Sequence, residues 1–349
     1  MSEEKQPNNH FPPLVMHLAR YLPMLILGGL AVNLLLPQLG NLRYSLQVLR
    51  SMLWWAVGLA IIAQIMSYIS GGILLQIIIR TTGKRIPLGP ATLIPMAAGS
   101  IGLVVGGIVG VITTTYRWLR RYQVDGNGAL LAGWLPIQLE NGMVIGFAII
   151  SLAHLLSTGT LTLLQIIGFS LVLLALLLTV AAVIWSLTHR EQTIGLAQKV
   201  TGRWARLLRR PHNGEGTRKN VQQFLDTWDM MRAGGWRGPV LATAFNLGFD
   251  IVTLYFIFLG ARFPVRFDVL LTGYGLPLLL GKVSFLPGGV GIVEATMAAI
   301  YTGLGVPSAV TVIVILIYRF LTFWFPTILG FLLVPYLNRL NGENHRTSA

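Results

Sequence analysis

Cysteine is absent from all 349 residues, which excludes disulfides, thiolate metal sites and palmitoylation. Charge is nearly as scarce. Asp, Glu, Lys and Arg together make 11% of the chain, where soluble domains carry about 25%. Acids number only 12 against 26 Lys and Arg. Signatures of chemistry are missing as well. There is no His-Glu-x-x-His metal helix, no aspartate-rich run to hold Mg²⁺ on a diphosphate, no Gly-x-Ser-x-Gly elbow and no Walker phosphate loop. The polar stretch Thr188–Arg237 is too short for a soluble catalytic domain of usual size. Neither an enzyme nor a bound cofactor or metal is therefore expected.

What the chain has is apolar length. It is 54% hydrophobic with a mean hydropathy of +0.68, the composition of a membrane protein. Crossing about 30 Å of hydrocarbon takes roughly 20 residues of helix. Six runs meet that length: Leu14–Leu36, Leu53–Ile79, Ala129–Leu156, Leu161–Leu187, Pro239–Gly260 and Pro307–Leu337. No cleavage site follows the first run, so it reads as an anchor. Two further regions are apolar but broken. Pro87–Thr115 holds three prolines and six glycines, Gly99, Gly102, Gly106, Gly107 and Gly110 among them, and Phe267–Leu304 holds Pro277 and the run Pro287–Gly291. Proline removes a backbone donor and glycine weakens a helix, so both regions are expected to form re-entrant helical hairpins. The expected fold is an all-α polytopic transmembrane bundle of about six full spans plus two re-entrant or broken hairpins. Its divisions are a tail (1–13), a first transmembrane half (14–187), a basic loop (188–237), a second half (238–337) and a C-terminal tail (338–349).

The net charge of +14 does not point to nucleic acid, because no recognition motif accompanies it. Its placement sets orientation instead. Arg80, Lys84 and Arg85, then Arg117, Arg120 and Arg121, then the basic loop all fall on one side of the membrane if the N-terminus is cytoplasmic. With the tails, that side holds twenty Lys and Arg against four on the other. Positive charge inside gives cytoplasmic N- and C-termini. The first broken region then enters from the cytoplasm and the second from outside, as inverted-topology repeats require. Gly106-Gly107 and Gly288-Gly289 lie 182 residues apart, with Val124 and Val306 in the same register. In the basic loop, Leu196, Val200, Trp204, Leu207 and Leu208 share one helical face opposite Lys199, Arg203, Arg206, Arg209 and Arg210. Such a helix suits either an anionic leaflet surface or a packed position with a solvated basic face.

Ionisable residues at membrane depth are functional candidates by default. Here they are Glu140, Asp250, Lys282, Glu294 and Arg319, with His154 nearer a helix end. The run Pro287-Gly288-Gly289-Val290-Gly291 should expose backbone N–H groups at the start of a helix, an anion seat to which Lys282 and Arg319 add charge. Glu294, in the first helical turn, either offsets Arg319 or accepts a cationic headgroup. Structural ion pairs and close helix packing are the plain alternatives. Glu140, Asp250 and Asn246, the last two sharing a face at i, i+4, are candidates for counter-charge or a coupling proton.

Leu286-Pro287-Gly288-Gly289-Val290-Gly291 with Glu294, then Gly305-Val306-Pro307, then Tyr318-Arg319-Phe320 and Gly330 resembles the transmembrane region of lysylphosphatidylglycerol synthases and their stand-alone, flippase-like relatives. The similarity is clear over Val240–Leu337, and its layout extends over Leu14–Leu337. It implies a bundle with re-entrant elements that moves lipids between leaflets. Lys282, Pro287, Gly288, Gly289, Gly291, Glu294, Tyr318 and Arg319 would then line a headgroup path in an inner membrane. The cargo it implies is open among anionic phospholipids, hopanoids and polyprenyl-linked lipids, with a lipid-modifying enzyme as a further partner. The aminoacyl-transferase domain that follows this region in bifunctional members is missing here, so lysyl transfer is not expected. The alternatives are a carrier or channel for a small ion and a non-catalytic partner of a lipid-modifying or glycosyl-transfer enzyme.

Overall fold

A computed structural model describes residues 47–159, 163–207, 214–284 and 286–339. The expected span Leu14–Leu36 lies outside them. The described residues form twelve α-helices and no strand. In chain order they are α1 (Trp54–Arg80), α2 (Leu88–Val104), α3 (Ile108–Arg121), α4 (Gly126–Thr158), α5 (Leu163–Thr188), α6 (Arg190–Leu207), α7 (Gly214–Gly235), α8 (Arg237–Gly260), α9 (Phe267–Val283), α10 (Ile292–Gly303), α11 (Ser308–Arg319) and α12 (Phe325–Arg339). A π-helical turn, Phe320–Trp324, joins α11 to α12 into one continuous rod. Among the described residues, α1, α4, α8 and the α11–α12 rod are long and apolar enough to cross a bilayer. The chain is an integral, multi-pass membrane protein.

Both broken regions form helical hairpins. Each tip turns on paired glycines in the left-handed region, Gly106 and Gly107 at φ 69° and 58°, Gly288 and Gly289 at 65° and 63°. L-residues with a Cβ are strained there, which is why glycine stands at all four positions. In the second hairpin α9 and α10 run antiparallel. Gly281 lies against Val293 near the tip, and the Tyr301 hydroxyl donates to the Leu270 carbonyl at the far end. α3 and α10 have 14 and 12 residues. At 1.5 Å per residue they reach only roughly 21 and 18 Å, too short to cross alone.

The two halves pack as an inverted pair. α1 and α8 lie antiparallel: Val57 meets Gly260, Ser67 bonds Asn246, and Ile77 meets Gly238. α9 of the second half runs antiparallel to α4 of the first, with Ser151 on Leu271 and Glu140 on Lys282. Reciprocally, α2 of the first half packs antiparallel on α12 of the second, where the Ser100 hydroxyl donates to the Thr327 carbonyl. A register of 182 (288 less 106) carries Gly126, the start of α4, onto Ser308, the start of α11.

The hairpins open toward opposite ends. The first opens where the basic clusters gather: Arg121 and Trp118 bond Asn338, and Asn127 bonds Gln223 of α7. α7 itself seats Phe224 and Trp228 edge-on against Trp134. At the other end Arg262 bonds the Ser51 carbonyl and Arg266 pairs with Asp268, itself 4.0 Å from His154. Within the basic loop, Leu196 and Val200 are exposed, while the side chains of Trp204, Arg206, Leu207, Leu208, Arg209 and Arg210 lie outside those described.

Candidate functional site

α11 ends on Arg319, which sits roughly 18 Å along the α11–α12 rod at 1.5 Å per residue. Its side chain is 7% exposed. Nε donates to Glu294 Oε1 at 2.6 Å, Nη2 donates to the Gly288 carbonyl at 3.1 Å, and Cζ stands 4.4 Å above the centre of the Phe323 ring. The π turn that follows brings Phe323 beneath the guanidinium. Such turns frequently interrupt helices at functional positions. Gly288 faces the same ring, and a Cβ there would overlap it.

Glu294 makes the second half of this knot. Its Oε2 accepts from the Gly291 N–H at 2.6 Å while Oε1 holds Arg319. The glycine run was expected to present free N–H groups to an anion. In this conformation three of those donors are taken: Gly289 and Val290 donate back to Leu286 and Pro287, and Gly291 donates to Glu294. The reason lies in position. Glu294 falls at the third residue of α10, where a carboxylate reaches back to its own cap and meets the positive end of the helix. The seat exists, and the chain's own acid fills it.

Lys282 does not join Arg319. It donates to Glu140 of α4 at 2.8 Å, with side-chain exposures of 28% and 43%. Asp250 of α8 accepts from both Tyr274 at 2.9 Å and Tyr318 at 2.7 Å, each on the same oxygen, Oδ2. Asn246 turns to α1, donating to the Ser67 carbonyl at 2.7 Å. The structure thus brings Gly288, Gly291, Glu294 and Arg319 into one cluster. Lys282 with Glu140, and Tyr318 with Asp250, form separate ones.

A cavity of about 420 Å³ adjoins these pairs. It lies on the first-half side, between α1, the α2–α3 hairpin, α4, α8 and the start of α12. Hydroxyl and amide groups, among them Tyr68, Thr92, Thr115, Asn246 and Thr322, punctuate a mostly apolar lining, and Glu140 is its ionisable carboxylate. Phe323 is shared: one wall of the cavity is the ring that carries Arg319. Sequence reasoning missed this void, because its threonines and glycines are ordinary membrane-helix residues taken singly. Tyr274 and Phe323 escaped it too, since neither is unusual in an apolar helix. The signal that could have found them is the 182-residue register, which puts Gln64 and Tyr68 opposite Asn246 and Asp250.

Residues 22–330 match the lysylphosphatidylglycerol synthase transmembrane region. The chain belongs to that family. Its similar relatives include a UPF0104 membrane protein of Pyrococcus horikoshii, 37% identical over 87 residues, 25% of this chain and 26% of the relative. Another, from Methanothermobacter thermautotrophicus, is 32% identical over 81 residues, 23% of this chain and 24% of the relative. A third, from Methanocaldococcus jannaschii, is 25% identical over 124 residues, 35% and 37% of the two chains. The matched stretches span from about a quarter to just over a third of these curated relatives. Family membership supports the role of an integral membrane protein.

Proposed function

We propose that this protein moves an anionic, phosphate-bearing lipid between leaflets, as a transporter rather than an enzyme. The observation that carries the reading is the position of the cavity. It lies between two inverted halves, at the depth of Arg319 and Glu140, with a wall shared by the Arg319 cluster. Carriers built from inverted repeats bind cargo at that place. A volume of about 420 Å³ suits a headgroup and not a whole diacyl lipid, so the acyl chains stay in the bilayer.

The phosphate then exchanges with the Glu294 carboxylate. Arg319 and the Gly291 N–H are a cation and a helix-start donor already arranged around one anion, and the same donors fit a phosphate oxygen. Glu294 holds the place closed between cycles, and Lys282 with Glu140 guards the neighbouring edge. Nothing in the described residues offers a nucleotide site, so movement runs downhill or on an ion gradient. The end bearing the basic clusters faces the cytoplasm of an inner membrane, with both termini on that side. There the exposed Leu196 and Val200 beside Lys199 and Arg203 meet anionic headgroups. Phospholipid, polyprenyl and hopanoid cargoes all meet these requirements when they carry a phosphate.

The test uses protein in liposomes holding a fluorescent anionic lipid. Glu294→Gln and Arg319→Ala, once shown to insert and fold, should each slow translocation by about tenfold or more, a barrier change of at least 1.4 kcal/mol. Rates equal to the parent's would refute the assignment.

A further inference from the structure

We propose that the cleft between α12 and the first hairpin holds an anionic membrane lipid, its phosphate at Arg117 and Arg121. The site is separate from the transport cavity and stands whether or not that cavity carries lipid.

The cleft encloses about 350 Å³ between α2, α3 and the end of α12. It shares no lining residue with the larger cavity. α3 divides the two: Val111 and Thr115 line the cavity, while Thr113, Thr114 and Arg117 line the cleft. The walls change character along their length. At the hairpin tip they are Val105, Gly106 and Val109, continued by Ile101 and Val334. Val105 and Val109 are 59% and 70% exposed, so this end lies open to the bilayer. At the other end stand Arg117, Trp118 and Arg121 of α3 with Asn338 of α12. Arg121 follows Val109 by twelve residues (121 less 109). That is roughly 18 Å of helix, close to the ~15 Å of hydrocarbon in one leaflet.

The three arginines of α3 have different tasks. Arg120 donates to the Val124 carbonyl at 2.9 Å, satisfying the chain just past its own helix end. Arg121 donates to Asn338 Oδ1 at 3.1 Å, the oxygen that also accepts from Trp118 at 3.2 Å. That shared oxygen holds Arg121 at the mouth of the cleft. Arg117 is exposed one turn earlier on the same face and has no hydrogen bond or ion pair among the described residues. No carboxylate among the described residues lines the cleft. A phosphate supplies the missing negative charge and suits the forked donors of arginine. Basic pockets between membrane helices take anionic headgroups in this way. The apolar tip decides the source: a soluble phosphate would leave Val105, Val109 and Val334 uncovered, and an acyl chain covers them. Because α3 also walls the transport cavity, an occupied cleft braces the first hairpin against α12.

The experiment measures phosphatidic acid binding to the purified full chain in detergent by native mass spectrometry. Every sample carries Gly99→Trp, which fills the transport cavity beforehand: Gly99 lines it, and a Cβ added there meets nothing within 4 Å. This background should bind one phosphatidic acid. Arg117→Ala with Arg121→Ala should weaken binding by about tenfold or more. Thr113→Trp, at an exposed position within the cleft, should weaken it similarly with both arginines in place. Lys84→Ala with Arg85→Ala removes equal charge from exposed positions outside the cleft and should leave binding unchanged. Equal weakening by the two double variants would mean diffuse attraction and overturn the site. Binding untouched by Thr113→Trp, or displaced by glycerol phosphate, would overturn a lipid occupant. Should the arginine pair prove necessary for folding, Thr113→Trp alone decides. If binding behaves as expected while the parent moves no lipid, the cleft stands and the transport reading falls.

Discussion

The two hairpins are the same device with different contents. Both dip into the bundle, turn on two left-handed glycines and pack antiparallel on a long helix of the other half, α12 for the first and α4 for the second. The second carries Glu294, and the rod behind it carries Arg319. The 182-residue register puts Ile112 and Ile137 at those positions in the first. The apolar hairpin borders the cavity, through Thr92 and Thr115, and the charged one is knotted shut. Duplication supplies a symmetric frame, and chemistry placed on one side makes the frame directional.

The largest effect that should sharpen this contrast comes from Arg319→Ala. It strands a buried Glu294 carboxylate and should cost about 3–5 kcal/mol, read as thermal stability in detergent. Adding Glu294→Gln should recover part of the loss. A fully additive double variant would mean the two side chains do not act as a pair. Next is a transplant. Ile112→Glu alone should cost roughly 2.5–3.5 kcal/mol as an unpaired charge at membrane depth, and adding Ile137→Arg should return some of it. Absence of any recovery would show that the register does not bring those positions together.

The glycine tips give a smaller comparison. Gly288→Ala meets both the left-handed backbone and the Phe323 ring, and should cost roughly 2–3 kcal/mol. At Gly106 the added Cβ meets nothing nearer than the Gly110 nitrogen at 4.0 Å, leaving the backbone strain of about 1 kcal/mol. Equal losses would break the distinction between a filled and an open tip. Smallest is Glu140→Gln. With Glu140 43% exposed and Lys282 28% exposed, the pair sits where water screens it, and about 1 kcal/mol or less is expected.

Much of this architecture was legible because each long apolar run answers one physical demand, the width of the bilayer. The hairpins were legible for the opposite reason: Pro287 to Gly291 and Gly106-Gly107 cannot continue a helix. Where the motif's charges would point was harder to read. Whether Lys282 meets Arg319 or Glu140 depends on the rotation of α9 against α4, which no local pattern encodes. That Glu294 would occupy its own helix start was foreshadowed by its distance from Gly291, three residues, the spacing of a cap. The cavity was invisible because it is what six helices leave between them, and no single helix carries its mark.

The most direct measurement fills that void. Gly99 lines the cavity, and a Cβ added there meets nothing within 4 Å, so Gly99→Trp should be accommodated while occupying the space a headgroup needs. In liposomes, the parent should carry a fluorescent anionic phospholipid between leaflets and Gly99→Trp should not, with thermal stability close to the parent's. Translocation undiminished in Gly99→Trp would contradict a headgroup path through this cavity.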